Sequence, residues 1–162
     1  MSLLTENQRT VLLFLANTLK ENNIEFHVTG GLAAIAYGAK RPLYDIDVEI
    51  YERDVEKVRV LFQEYVVEDW NNELEGPEDN FDVWMMKLNI KGVPVDISQI
   101  EGQRVRTAGG EWISQPEIMS TEVHTIEGIE LPIQNKHDLI AYKTIVAREI
   151  DLEDIRRMSD NK

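Results

Sequence analysis

Three aspartates and one glycine pair are the residues of this sequence whose types and spacing suggest chemistry. Asp45 and Asp47 are separated by one residue, Asp96 lies on a later apolar segment, and Gly30-Gly31 directly follows an apolar run. Carboxylate oxygens are the ligands that Mg²⁺ prefers in proteins. Glycines between a strand and a helix allow the backbone to approach a phosphate closely. Together these residues indicate a site for a divalent cation and a phosphate group.

The glycine pair is positioned by a predicted strand and a predicted helix. Residues 24–28 form an apolar run, which is typical of a buried strand, and residues 32–36 are rich in alanine. The first turn of a helix presents unpaired N–H groups and the positive end of its dipole, which favour a phosphate. Taken alone, a Gly-Gly pair also fits an ordinary turn.

Residues 44–50 alternate between apolar and acidic side chains, which predicts a strand with its acids on one face. The apolar members are Tyr44, Ile46, Val48 and Ile50, and the acidic members are Asp45, Asp47 and Glu49. Two carboxylates on one face can hold Mg²⁺ jointly. The alternative is an amphipathic strand with a solvated acidic face, since 30 of the 162 residues are Asp or Glu.

Asp96 belongs to a predicted hairpin, whose strands at 82–90 and 93–97 are joined by a turn at Lys91-Gly92. In a buried strand an unpaired carboxylate is costly, and a cation shared with the other two aspartates would compensate it. Alternatively, Pro94 fits an edge strand on which Asp96 would face solvent.

These residues resemble the motif of the nucleotidyltransferase superfamily, whose fold is shared with the palm of the beta family of DNA polymerases. In that motif an apolar strand ends in Gly-Gly or Gly-Ser, a helix follows, Asp-x-Asp lies on the next strand, and a third Asp lies on a later strand. The sequence is most similar to a small bacterial branch that contains lincosamide nucleotidyltransferases and abortive-infection toxins. Members often carry Arg-x-Thr-x-Asp-x-Asp, and here Arg41 precedes Asp45 and Asp47 with Leu43 in the place of the threonine.

The resemblance covers about residues 24–158, because a Leu-Ile-x-x-Lys helix and an Arg-x-x-Asp-x-x-Asp segment are frequent near the C-terminus of such proteins. The matching residues are Leu139, Ile140, Lys143, Arg148, Asp151 and Asp154. The resemblance implies an α/β (α+β) nucleotidyltransferase fold, with a mixed β-sheet, flanking helices and a C-terminal helical pair. We expect one nucleotidyltransferase-like domain over residues 1–162, with its catalytic core at about 24–100 and its C-terminal helices at about 135–158.

The activity that the resemblance implies is metal-dependent transfer of an NMP group from an NTP, such as ATP, to a hydroxyl group. The implied catalytic and metal-binding residues are Asp45, Asp47 and Asp96, with Mg²⁺ or Mn²⁺ as the cofactor. The implied nucleotide-binding residues are Gly30, Gly31, Arg41 and Lys143. Lys143 has an alternative role, in which it pairs with Asp151 or Asp154 and docks the C-terminal helices.

Two other functions stay open at this point. A catalytically silent member of the fold would bind a nucleotide or a protein partner, for example in a toxin–antitoxin pair. Loss of a metal ligand would mark such a protein, and all three aspartates are present. In a different α/β sandwich the acidic residues would form only a solvated face.

The composition bears on the partners and the location of the protein. The chain has no cysteine, which excludes disulfides and thiolate metal sites. It has no apolar run long enough to cross a bilayer and no signal-peptide pattern, so we expect a cytoplasmic protein without a membrane partner. The formal net charge of −13 repels polyanions. Nonspecific nucleic-acid binding is therefore not expected, and the acceptor is a small molecule or a protein.

Three further interpretations concern the surroundings of the site. Only the two C-terminal helices follow the catalytic core, so a homodimer or a partner subunit would be one source of a wall for the acceptor. Arg104 and Arg106 either meet a triphosphate or an acceptor, or are solvated. His27, inside the first strand, is interpreted as a histidine of the core or of the sheet face rather than as a ligand.

Overall fold

The computed structural model of the protein describes residues 2–73 and 80–160. The α-helices in these ranges are Glu6–Glu21 (α1), Gly30–Ala36 (α2), Val55–Leu61 (α3), Lys136–Val146 (α4) and Glu149–Asp160 (α5). The strands are Phe26–Thr29 (β1), Ile46–Ile50 (β2), Val66–Asn71 (β3), Phe81–Asp82 (β4), Met85–Ile90 (β5), Val93–Gln99 (β6), Arg104–Arg106 (β7), Trp112–Ser114 (β8), Thr121–Ile126 (β9) and Ile129–Gln134 (β10). Among the helices of the described ranges, none is long and apolar enough to cross a membrane.

The main sheet of the described residues has seven strands in the order β3-β5-β6-β2-β1-β10-β9. β1 pairs in parallel with β10 and antiparallel with β2, and β2 pairs in parallel with β6, so the sheet is mixed. β4, β7 and β8 form a small second sheet. The helices α4 and α5 pack against each other. The predicted fold class, a mixed sheet with flanking helices and a C-terminal helical pair, is confirmed.

The apolar core lies between the main sheet and its helices, and the sequence patterns explain which faces it contains. The sequence Thr5-Glu-Asn-Gln8 predicts a capping box, and α1 begins with it: Thr5 and Gln8 exchange side chain to backbone hydrogen bonds. One face of α1 is buried, at Val11, Leu12, Leu15 and Leu19. The apolar face of β2, at Ile46, Val48 and Ile50, is also buried. Burying these side chains stabilises the fold by about 1.5–3 kcal/mol each, and it turns the acidic residues of β2 toward the opposite side of the sheet.

Two helices are shorter than the sequence predicts. Apolar residues at helical spacing predict a helix over residues 53–65, but the structure is α-helical only over Val55–Leu61, with 3₁₀ turns at Glu52–Asp54 and Gln63–Tyr65. The sequence also predicts a long helix over residues 135–149, and this helix begins after the N-cap Asn135 but ends at Val146. It ends there because Ala147 adopts the left-handed conformation, with a φ of 54°.

The sequence predicts irregular β structure over residues 111–131 with a turn at Glu127-Gly128, and the structure contains regular strands there. β10 lies beside β1 inside the main sheet and pairs with β9 through this turn. The sequence also predicts a short strand at 66–68, which extends to Asn71 as β3. The polar and acidic stretch 71–80 contains Gly76-Pro77 and predicts an exposed loop, but it falls largely on residues 74–79, which lie outside the described residues.

Candidate active site

The three predicted aspartates come together at one place on the main sheet. Asp47 on β2 is the register partner of Asp96 on the parallel strand β6, and Asp45 lies directly before β2. One carboxylate oxygen of each residue lies within 4.8 Å of the other two. β6 is an internal strand between β5 and β2, so the alternative of a solvent-facing Asp96 on an edge strand is wrong.

The crowding of these carboxylates raises the pKa of Asp47 and of Asp96. Burial raises the pKa of Asp47 well above its usual value, and the nearby charges of Asp45 and Asp96 raise it further. Burial and the charge of Asp45 raise the pKa of Asp96 to about 6, although Lys87 opposes this shift. Three oxygens that repel one another at this spacing fit a divalent cation, because a cation would remove both the repulsion and the cost of burial.

The predicted glycine pair lies against the aspartates and against Arg41. Gly30 has a φ of +64°, and a Cβ atom added to it would overlap the Oδ2 atom of Asp47. A Cβ atom on Gly31 would lie 2.5 Å from an Nη atom of Arg41. The positive φ of Gly30 favours glycine there, and a larger residue at either position would displace the side chain of Asp47 or Arg41. The alternative, an ordinary turn, does not explain these two contacts with Asp47 and Arg41.

Arg41 and Lys143 share the carboxylate of Asp154. Arg41 donates from Nε and Nη2 to the two oxygens of Asp154, at 2.8 and 3.1 Å. Lys143 donates from Nζ to Asp154 at 3.1 Å and to Asp151 at 3.3 Å. The side chain of Arg148 also donates two hydrogen bonds to Asp151, at 2.7 and 3.0 Å. In this group three cations share two carboxylates, which leaves one positive charge in excess.

Burial and charge pairing shift the pKa values of Lys143 and Asp154 in opposite directions. Burial lowers the pKa of Lys143, but Tyr142, Asp151 and Asp154 more than compensate and the pKa is raised. Burial raises the pKa of Asp154, but its contacts with Arg41 and Lys143 bring it below the usual value. Lys143 and Asp154 are thus held in their charged forms. The alternative role of Lys143, pairing that docks the C-terminal helices, is the contact that the structure shows, and nucleotide binding by Lys143 stays a prediction.

The aspartates, the glycine pair, Arg41 and Lys143 all line one cleft of about 660 Å³. The small sheet forms part of its wall through Phe81, Arg104 and Val105. Arg104 donates to Asp82 and stacks on the ring of Trp112, with its guanidinium carbon 5.1 Å from the ring centroid. The chain itself therefore supplies one wall of the cleft.

Several cleft residues were not predicted as site residues. Arg148 lies in the cleft as part of the basic group. Its position three residues before Asp151 in the sequence could have indicated that the two side chains pair. Tyr142 and Phe81 line the same region. His27 and Glu49 are buried on the cleft side of the sheet, and Glu49 shares the strand period of Asp47. The burial of Glu49 shows that the acidic face of β2 is not simply solvated.

The fold of the chain matches that of known nucleotidyltransferases. A putative nucleotidyltransferase from Thermotoga maritima superposes with a TM-score of 0.69 at 20% identity, over 99% of this chain and 98% of that one. The lincomycin-bound lincosamide antibiotic adenylyltransferase LnuA gives a TM-score of 0.65 at 14% identity, over 98% and 99%. ANT(2")-Ia in complex with adenylyl-2"-tobramycin gives 0.63 at 15% identity, over 95% and 88%. At these identities the structural likeness shows the fold.

The family is shown by the sequence profile. None of the curated proteins compared with the chain matches it. The profile of the aminoglycoside-2''-adenylyltransferase family matches residues 11–158, which is most of the chain and includes every residue of the candidate site. The chain therefore belongs to the aminoglycoside-2''-adenylyltransferase family and is a nucleotidyltransferase, as its sequence motifs predict.

Proposed function

We propose that the protein uses a divalent metal ion to transfer an NMP group from an NTP to a hydroxyl group of a small-molecule acceptor. The observation that carries the proposal is the convergence of Asp45, Asp47 and Asp96 within 4.8 Å, beside a glycine turn and a basic group. The names of the relatives support a small antibiotic as the acceptor, since they refer to aminoglycoside and lincosamide adenylyltransferases.

Asp45 and Asp47 would hold the metal ion, Mg²⁺ or Mn²⁺, and Asp96 would complete the site on the acceptor side. Such a cation, when bound, neutralises charge on a triphosphate and stabilises the entering and leaving oxygens of an in-line displacement. Gly30 keeps the backbone close enough to Asp47 for this carboxylate and the first turn of α2 to face the same ligand.

The basic group would bind the phosphates of the donor. Arg41 lies against Gly31, and both line the cleft together with Lys143 and Arg148. This group carries one excess positive charge, so it is the part of an otherwise acidic cleft that suits the phosphate groups of a donor. Charge that develops on the leaving pyrophosphate would be stabilised here.

Asp96 would accept the proton of the attacking hydroxyl group. The acceptor oxygen forms a bond to the α-phosphorus, and the bond from the α-phosphorus to the bridging oxygen of the β-phosphate breaks. Pyrophosphate leaves with that electron pair, and the NMP group stays on the acceptor. No covalent intermediate on the protein is needed, which agrees with a site built from carboxylates, glycines and cations.

A cleft of about 660 Å³ is in the size range of sites for small ligands. Together with the names of the relatives, this supports a small-molecule acceptor. The predicted homodimer or partner subunit stays a prediction. The predicted alternative of a silent binding protein in a toxin–antitoxin pair has no separate structural observation in its favour.

The experiment is transfer from α-labelled NTPs to tobramycin and to lincomycin, with Mg²⁺ or Mn²⁺ and with a chelator. We expect a product heavier than the acceptor by one NMP residue, formed only with metal and absent with a variant carrying Asp45→Asn and Asp47→Asn. Label on protein instead of on the small molecule would favour a protein acceptor. Absence of transfer with all four NTPs and both compounds would contradict the proposal.

A further inference from the structure

We infer that the side-chain amide of Gln134 donates a hydrogen bond to the β- or γ-phosphate of the donor NTP, and that Thr29 holds this amide in place. This inference rests on the proposed nucleotidyl transfer, since it concerns the part of the donor that leaves as pyrophosphate. It adds a neutral N–H donor to a site whose other proposed phosphate contacts are the glycine turn and the basic group.

Gln134 is fixed by a hydrogen bond at the ends of two neighbouring strands. Val28 on β1 is the register partner of Ile133 on the parallel strand β10, and Thr29 and Gln134 are the residues that follow them. Oγ1 of Thr29 donates a hydrogen bond to Oε1 of Gln134 at 2.6 Å. Thr29 and Gln134 both line the cleft. The bond to Thr29 therefore sets the direction of the whole amide group.

This bond leaves the amide nitrogen of Gln134 for a ligand. A glutamine side chain has two N–H donors on Nε2, and among the described residues the only hydrogen bond of this side chain is the one that Oε1 accepts. Among the described side chains, only His27 and His124 have a fully buried polar atom without a partner. Nε2 of the half-buried Gln134 is therefore open to solvent or to a ligand.

The strand order places Gln134 on the side of the aspartates at which pyrophosphate would leave. Asp47 is the register partner of Thr29 on one side and of Asp96 on the other. In the proposed reaction the acceptor is at Asp96, and an in-line displacement sends the leaving group away from the attacking oxygen. That direction crosses Asp47 and leads to Thr29 and Gln134, on strands about 4.8 Å apart.

The amide also lies beside the glycine turn. Thr29 directly precedes Gly30, and Gly30 lies so close to Asp47 that an added Cβ atom would overlap Oδ2 of that carboxylate. Because Thr29 contacts Gln134 directly, the amide is next to the turn that is proposed to receive the phosphates. A phosphate bound at this turn and at the metal ion is within reach of Nε2.

A purely structural role accounts for only half of the amide. The bond from Thr29 ties β1 to β10, and any oxygen acceptor at this place, such as a carboxylate, would make it. The N–H groups of Nε2 take no part in it. A phosphate oxygen only accepts hydrogen bonds, so it matches these donors, and hydrogen bonds to charged groups are stronger than those between neutral groups.

The competing ligand group is the ribose of the same nucleotide. Asp138, in the first turn of α4, also lines the cleft, and a carboxylate suits a ribose hydroxyl better than a phosphate. This carboxylate already accepts a hydrogen bond from Nδ2 of Asn135 at 2.7 Å. The in-line direction favours the phosphates, and a ligand that contains phosphates without a ribose decides between the two.

The test uses Gln134→Glu and Gln134→Met in the full chain. Glutamate keeps an oxygen that accepts from Thr29 but replaces the N–H donors by a negative charge, whereas methionine removes the donors without adding charge. The matched control is Gln115→Glu, which adds the same charge at another half-buried glutamine of the cleft.

The readouts are the Kd for Mg-ATP and the Kd for inorganic tripolyphosphate with Mg²⁺, both by calorimetry, together with the melting temperature. We expect Gln134→Met to raise both Kd values about tenfold and Gln134→Glu to raise them further. We also expect a nearly unchanged melting temperature for Gln134→Glu, because the bond from Thr29 is kept. Gln115→Glu should bind both ligands within about threefold of the wild type, since charge alone is screened in an open cleft.

Three outcomes would overturn the inference. Unchanged Kd values in Gln134→Met, or a loss in Gln134→Glu no larger than in Gln115→Glu, would do so while leaving nucleotidyl transfer standing. Weaker binding of Mg-ATP with unchanged binding of tripolyphosphate would assign the amide to the ribose or the base instead. A wild type that binds neither ligand would overturn the proposed NTP donor, and this inference with it.

Discussion

Asp47 and Asp96 lie directly opposite each other on two parallel strands, and their carboxyl groups share one small space with that of Asp45. Without a cation this arrangement is unfavourable, because burial and like charge raise the pKa of both Asp47 and Asp96. The same arrangement becomes favourable when a divalent cation occupies it. In the proposed role as a metal site, this cluster lowers the stability of the metal-free protein and favours the binding of a cation.

The first prediction concerns the pH dependence of the metal-free protein. The pKa of Asp96 is about 6 in the folded state against 3.8 for the ordinary residue, so the folded state binds its proton more tightly than the unfolded state. Stability from this source is present below about pH 4 and is lost as the pH rises through about 6. We expect Asp96→Asn to be more stable than the wild type at pH 7, by about 1–3 kcal/mol, and no more stable near pH 4. Urea unfolding with a chelator measures this, and a difference that does not depend on pH would contradict it.

The second prediction concerns the role of each aspartate in transfer. We expect Asp45→Asn, Asp47→Asn and Asp96→Asn each to lower kcat by at least about 10²- to 10³-fold, because each removes charge from the reacting centre. The control is Asp69→Asn, since Asp69 is exposed and pairs only with Arg59 and nearby backbone in the described structure. Radiometric transfer assays measure the loss, and activity within tenfold of the wild type in any of the three variants would remove that residue from the mechanism.

The third prediction separates backbone conformation from close approach at the glycine turn. Gly30 and Gly92 both have positive φ, at +64° and +85°, but only Gly30 of the two lies against another side chain, that of Asp47. We expect Gly30→Ala and Gly92→Ala to cost similar stability, about 1 kcal/mol from the backbone, with a further cost and loss of transfer only in Gly30→Ala. Thermal unfolding and transfer assays measured in parallel decide this. Full activity in Gly30→Ala would show that Asp47 tolerates displacement.

The fourth prediction concerns the buried basic group. We expect Asp154→Asn to destabilise the protein by about 3–5 kcal/mol, because it leaves Arg41 and Lys143 with less compensating charge. The control is Glu153→Gln, whose partners Arg156 and Arg157 lie at the surface, with an expected effect below about 1 kcal/mol. Denaturant unfolding of both variants tests this, and equal small effects would mean that the group contributes little to the fold.

Much of the fold and the site was predictable from local patterns. The capping box at Thr5 and the alternation of β2 depend on neighbouring residues, so the sequence shows them directly. The hairpin that carries Asp96 was predictable from its turn at Lys91-Gly92. The meeting of Asp96 with Asp47 required the resemblance to a known family, because their pairing joins parallel strands far apart in the chain.

Features that depend on long-range pairing were not predictable. No periodicity in 129–134 indicates that β10 pairs with β1 inside the main sheet. The small sheet that forms a wall of the cleft depends on contacts between β4, β7 and β8. His27 and Glu49 are buried next to each other because of the β1–β2 register, and neither strand's own sequence reveals that register. The left-handed residue that ends α4 is an alanine, which carries no sequence signal for that conformation.

The central claim is that the three aspartates bind a divalent metal ion together with an NTP. The most direct measurement is calorimetric titration of ATP into the wild type and into the Asp45→Asn, Asp47→Asn double variant, each with Mg²⁺ and with a chelator. We predict binding to the wild type only with Mg²⁺ and at least tenfold weaker binding to the double variant. Equal affinity with and without metal, or equal affinity of the two proteins, would contradict the account.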